Sequence, residues 1–141
     1  MAITYLSDNP LTTSAHVLLF GTNAQGRIEQ DALTIALHAR CPTAFAAFSR
    51  QCRADKISAG KLWYWWDCQP ALGFMVIRES PFGATRLRYV ESVIMGLARD
   101  YQRDGVKSAA LILPPTDQDD VKALLDRWFG TSALAVSVYA A

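Results

Sequence analysis

The chain has 141 residues, 51% hydrophobic and 19% charged, with 14 basic and 13 acidic side chains giving a net charge of +1. That length suits one domain, 1–141, with a sizeable core, and the composition argues against disorder. The near-zero charge leaves no whole-molecule attraction to nucleic acid or an anionic membrane, and no apolar run approaches the roughly 20 residues of a membrane span.

In chain order, Ile3 to Leu6 reads as a short strand and Asp8-Asn9-Pro10 as a turn. His16 to Phe20 is a buried strand that runs into a polar loop, Gly21-Thr22-Asn23-Ala24-Gln25-Gly26. Residues 31–40 carry Leu33, Ala36 and Leu37 on one helical face, with Asp31 at the start. Thr43 is the expected N-cap of the next helix, which places Phe45, Phe48 and Cys52 on one side; Ser58-Ala59-Gly60 closes this region.

Lys61 to Trp66 and Leu72 to Arg78 follow as strands, then a loop at Ser80-Pro81-Phe82-Gly83. A long helix from Arg86 to Asp104 has Leu87, Val90, Ile94, Leu97 and Tyr101 as its apolar stripe and Gly105 as its stop. Ala109 to Leu113 is an apolar strand ended by Pro114-Pro115. Asp117 or Asp119 caps a last helix that ends at Gly130, and Ala133 to Tyr139 is the final strand. Strand and helix alternate through the second half, which predicts a largely parallel sheet of about six strands covered on both faces. Ligands of such sheets sit beyond the carboxyl ends of the strands.

The residue chemistry is sparse. Cys41, Cys52 and Cys68 form no CxxC, and neither His16 nor His38 stands in a motif relation to them, so no metal site and no cofactor is expected. Free thiols and the lack of a signal-peptide pattern point to a reducing cytoplasm. Arg86, Arg88 and Lys107 are too scattered for a nucleic-acid surface. Arg78 and Glu79 at a strand end face a ligand or pair with each other, with the pair favoured. Alternation sends two of Trp63, Tyr64, Trp65 and Trp66 to each sheet face: core in a covered sheet, an interface on an edge.

The order of several segments resembles a macrodomain, in particular the branch holding the terminal ADP-ribose glycohydrolase and the antitoxins that reverse DNA ADP-ribosylation. Ile3-Thr4-Tyr5-Leu6-Ser7-Asp8-Asn9 looks like that family's first strand and turn, and Thr22-Asn23-Ala24-Gln25-Gly26 like its asparagine loop at the distal ribose. Cys41-Pro42-Thr43-Ala44-Phe45-Ala46-Ala47-Phe48 with Gly60-Lys61-Leu62, Val90-Glu91-Ser92 with Leu97 and Gly105-Val106-Lys107-Ser108, and Leu113-Pro114-Pro115 complete the likeness over nearly the whole chain. The resemblance implies a three-layer α/β/α fold, ADP-ribose or a related nucleotide as ligand, and Asp8, Asn9, Thr22, Asn23, Gly26, Arg78 and Thr116 as binding residues. Asn23 would meet a ribose or cap its own loop; Asp8 or Asn9 would accept from an adenine amino group or form a plain turn.

The departures shape the functional expectation. The glycines that follow the asparagine in the family fall here at Glu29 and Asp31, where side chains obstruct a pyrophosphate and carboxylates repel it. The family's lysine nucleophile falls at or near Arg78, which cannot serve as an amine nucleophile. Its glycine-rich second phosphate loop, with the catalytic aspartate, is reduced to Thr116-Asp117-Gln118-Asp119-Asp120. The expectation is a diverged macrodomain with weak or lost hydrolase activity that binds a nucleotide no tighter than roughly the high-micromolar range or serves as a protein-interaction module. The alternative is an active ADP-ribosyl hydrolase that recruits Asp117, Asp119 or Asp120, otherwise a helix-capping cluster. Nucleic acid enters only as an ADP-ribosylated substrate.

Overall fold

The alternating pattern folds as a single sheet in the computed structural model, which describes residues 3–140. The strands β1 (Ile3–Leu6), β2 (Val17–Asn23), β3 (Leu62–Trp65), β4 (Ala71–Arg78), β5 (Ser108–Ile112) and β6 (Ala135–Tyr139) stand in the order β1-β6-β5-β2-β4-β3. Every pairing is parallel except β3 on β4. The helices α1 (Ala32–Arg40) and α2 (Pro42–Arg53) cover one face, and α3 (Leu87–Asp104) and α4 (Gln118–Phe129) the other. The result is the mixed, largely parallel three-layer arrangement the sequence predicts.

Strand alternation divides the core in two. Val17, Leu19, Ile77, Ala109, Leu111, Val136 and Val138 face α3 and α4, where Val90, Ile94, Leu97, Val121, Leu125 and Phe129 meet them. Leu18, Phe20, Leu72, Phe74, Val76, Ala110 and Ile112 face α1 and α2. Phe74 centres the second layer: it stacks on Phe48 at 4.4 Å and meets Phe20 at 4.8 Å, Phe45 at 5.1 Å and Trp63 at 5.4 Å. Each such aromatic contact contributes about 0.5–1.5 kcal/mol beyond area burial. On the opposite face Gly73 leaves room for Leu19, whose Cδ2 would lie 2.6 Å from a Cβ at that position.

Several boundaries move for tertiary reasons. β2 runs on through Gly21, Thr22 and Asn23, because β4 offers ladder partners as far as Arg78. The cap of α2 is Cys41 with Pro42 in the first turn, so Thr43 is not the N-cap; proline's fixed φ and missing N–H suit that first position. α1 opens where expected, and Asp31 caps it, its carboxylate accepting from Thr34 N at 2.9 Å and Thr34 Oγ1 at 2.8 Å. Gly105 ends α3 at φ 81°, in the left-handed region that glycine enters freely. Gly130 ends α4 in an ordinary right-handed conformation. The aromatic run does alternate, but on the edge strand β3 each of its four residues, Leu62 to Trp65, is half-buried, and the adjoining Trp66 is exposed. None of the described helices is long and apolar enough to cross a membrane.

Candidate ligand cleft

Strand ends make the site. The carboxyl ends of β2, β4 and β5, the turn at Asn9-Pro10-Leu11 and the start of α1 surround a cleft of about 640 Å³. Its apolar wall comes from Leu11, Phe20, Leu33, Ile77, Ile112 and Pro114. Gly21 forms part of the floor, where a Cβ would lie 2.7 Å from Ile77 Cδ1 and 3.6 Å from an Arg78 guanidinium nitrogen.

The polar wall is an internal network. An Arg78 guanidinium nitrogen meets Glu29 Oε1 at 3.0 Å, with side-chain exposures of 12% and 11%. Its second terminal nitrogen donates to Thr85 Oγ1 at 2.7 Å. Arg78 Nε is buried without a hydrogen-bond partner among the described residues. Glu29 Oε2 accepts from Asn23 Nδ2 at 2.6 Å. The two carboxylate oxygens thus serve two donors, one from the end of β2 and one from the end of β4.

This arrangement revises the part assigned to the two acids. Glu29 does not stand as a bare negative charge, because Arg78, 49 residues away in sequence, neutralises it. Asp31 spends its oxygens on the start of α1 while it lines the cleft. The expected Arg78–Glu79 pair does not form: Arg78 turns to Glu29, and Glu79 accepts from the Tyr89 hydroxyl at 2.8 Å. Arg78 is the last residue of β4 and Glu79 already lies in the bend beyond it, so each side chain meets a different tertiary partner.

Of the expected binding residues, Asn9 and Arg78 line the cleft. Asn9 also caps its own 3-10 turn through Leu11 N at 3.0 Å. Asn23 is wholly buried, and its side chain is spent within the loop. Its amide nitrogen donates to Arg27 O and Glu29, and its oxygen accepts from Gln25 N and Arg27 N. Loop capping, the second role open to Asn23, is the one the geometry displays. Thr22 is buried in β2, and Asp8 and Thr116 are exposed outside the cleft lining. Gly26, at φ 72°, packs on α2, where a Cβ would lie 2.8 Å from Ser49 Cα.

The loop after β5 is as short as the sequence indicates. Gln118 opens α4 and closes the loop by donating from Nε2 to Pro114 O at 3.1 Å. Asp117 takes a left-handed conformation, φ 55°, with no side-chain cap bond, so it caps by position alone. Asp119 and Asp120 are exposed in the first turn of α4, where a carboxylate complements the helix dipole. None of the three lines the cleft. Sequence reasoning missed Thr85 and the apolar wall; Leu11, Leu33 and Ile112 carry no signal beyond ordinary core patterning. Among the described residues no cluster of three or more His, Cys, Asp or Glu side chains is placed to hold a metal ion. Cys41 and Cys68, far apart in sequence, come together; burial first, then Cys41, pushes the Cys68 thiol up to about 12.

Six strands in this order, two helices to a side and a cleft at the strand ends define the macrodomain fold, and solved structures agree. The chain is similar to the macrodomain of Thermus aquaticus DarG over 98% of its length and 96% of that chain, at 17% identity and a TM-score of 0.84. It is similar to the macrodomain of Mycobacterium tuberculosis DarG over 97% and 96%, at 18% identity and 0.88. Thermosipho africanus DarTG in complex with ADP-ribose matches 99% of this chain over 41% of its own length, at 13% identity and 0.87. No protein-family model and no curated protein matches the sequence. At these identities the likeness is one of fold.

Proposed function

We propose that this chain is a diverged macrodomain that binds an ADP-ribose-like nucleotide weakly in the strand-end cleft and does not release it from a modified protein or nucleic acid. The observation that carries the reading is the Glu29–Arg78 pair, held in place by Asn23 and Thr85 on the cleft wall. The apolar wall suits a purine or ribose face, and the ADP-ribose held by the similar Thermosipho africanus structure supports the ligand class. A ligand phosphate gains Arg78 only by displacing Glu29, which weakens binding. Against chemistry stands the nature of the groups present: a guanidinium tied to a carboxylate is neither nucleophile nor base. The aspartates available to the hydrolase alternative lie outside the cleft. Free thiols fit a reducing cytoplasm.

Titration calorimetry with ADP-ribose tests this. Binding in the high-micromolar range, about −5 to −6 kcal/mol, is expected. Absence of binding at millimolar ligand would overturn the nucleotide reading, and release of ADP-ribose from modified protein or DNA would overturn the non-catalytic one.

A further inference from the structure

β3 is the last strand of the sheet, and among the described residues one of its edges has no neighbouring strand. Val76 N–H donates to Lys61 C=O, and the register then pairs Trp63 with Phe74 and Trp65 with Leu72. Hydrogen-bonded and non-hydrogen-bonded pairs alternate along an antiparallel ladder. Leu62 and Tyr64 therefore turn their N–H and C=O groups away from β4, toward the free edge. Ala71 N donates to His16 O on the other side of β4, which fixes the same alternation independently.

The sequence on this edge is self-complementary. Read outward from Tyr64, it has Trp63 and Trp65, then Leu62 and Trp66, then Lys61 and Asp67; β3 itself ends at Trp65, Lys61 lies one residue before it, and Asp67 stands at a bend two residues after it. Trp66 is 44% exposed and stacks on Tyr64 at 4.8 Å. Lys61 and Asp67 are both exposed. A lysine on an edge strand ordinarily deters pairing with another chain; here a carboxylate six residues on can face it.

We propose that two copies of this chain join β3 to β3, antiparallel about Tyr64, so that two six-stranded sheets become one. In that register Tyr64 faces the partner's Tyr64 and both exchange backbone hydrogen bonds. Pairing lengthens β3 by one residue, so that Leu62 faces the partner's Trp66 in a second hydrogen-bonded pair. Trp63 faces the partner's Trp65, and Lys61 faces the partner's Asp67, in the closer non-hydrogen-bonded positions. The outward backbone groups allow only shifts of two residues, and those place Lys61 opposite Trp65 or Gln69. Charge therefore selects the register about Tyr64.

Sedimentation velocity of the full chain at low salt tests the pairing. The unmodified protein is expected to show a concentration-dependent dimer. Lys61→Asp alone, or Asp67→Lys alone, sets like charges opposite each other at both ends and is expected to raise the dimer dissociation constant at least about tenfold. The double exchange, Lys61→Asp with Asp67→Lys, is expected to restore the dimer. Both positions are exposed, so unchanged thermal unfolding of each variant by circular dichroism is expected. A monomer at all concentrations, a dimer indifferent to the single exchanges, or a double exchange that fails to restore it would each overturn the proposal.

Discussion

Glu29→Gln isolates the ion pair on the cleft wall. The carboxylate gives one oxygen to Asn23 and the other to Arg78. A carboxamide has a single acceptor oxygen, so one of those donors would face an NH₂ group. At 3.0 Å and an effective dielectric near 20, the attraction is roughly 5 to 6 kcal/mol before desolvation offsets most of it. The loss on substitution exceeds the net worth of the pair, because Arg78 stays behind, mostly buried, with its Nε already unpartnered. A destabilisation of about 3 kcal/mol is expected, or about 10 °C in Tm at roughly 3 °C per kcal/mol for a chain of this size. Ligand binding should move the other way. With Glu29 neutral, Arg78 is free for a phosphate, and ADP-ribose should bind at least tenfold tighter, about 1.4 kcal/mol. Thermal unfolding with and without ADP-ribose, beside calorimetry, reads both quantities. A variant that unfolds within about 1 °C of the parent, or that binds ADP-ribose no tighter, would refute the reasoning, as would submicromolar binding by the unmodified protein.

No release of ADP-ribose from modified glutamate or from modified thymidine in DNA is expected in a product assay; should turnover appear, its abolition by Asp117→Ala, Asp119→Ala or Asp120→Ala would establish the hydrolase alternative. Gly26→Ala forces a side chain into positive φ and against the backbone of α2, so a loss of about 2 kcal/mol, near 6 °C in Tm, is expected from thermal unfolding. Burial pushes the Cys52 thiol from 9.0 up to about 11. An unfolded chain therefore loses that proton first as pH rises, and the stability held below pH 9 is lost between pH 9 and 11. Urea midpoints at pH 8 and pH 10 should show a fall in the parent that is smaller in Cys52→Ala.

The succession of apolar strands and amphipathic helices along the chain determined the layers of this protein. Alternation in Val17-Leu18-Leu19-Phe20 and the stripe Val90, Ile94, Leu97 reflect local geometry, period 2 and period 3.6, which any chain must obey to bury one face. Asp31 and Gly105 were legible for the same reason: the bonds they satisfy lie within a few residues. The cleft was not. Glu29, read as a charge repelling phosphate, became the partner of Arg78 only when β2 and β4 lay side by side in register. Asn23, read as a ribose contact or a loop cap, became a buried support for Glu29 because β2 runs further than its apolar run suggests. The aromatic run signalled burial, yet strand order made β3 an edge and left its outer hydrogen-bonding groups unpaired by any strand among the described residues. Such pairings join residues tens of positions apart, and Coulomb attraction and hydrogen bonding depend on distance in space, which sequence spacing does not encode.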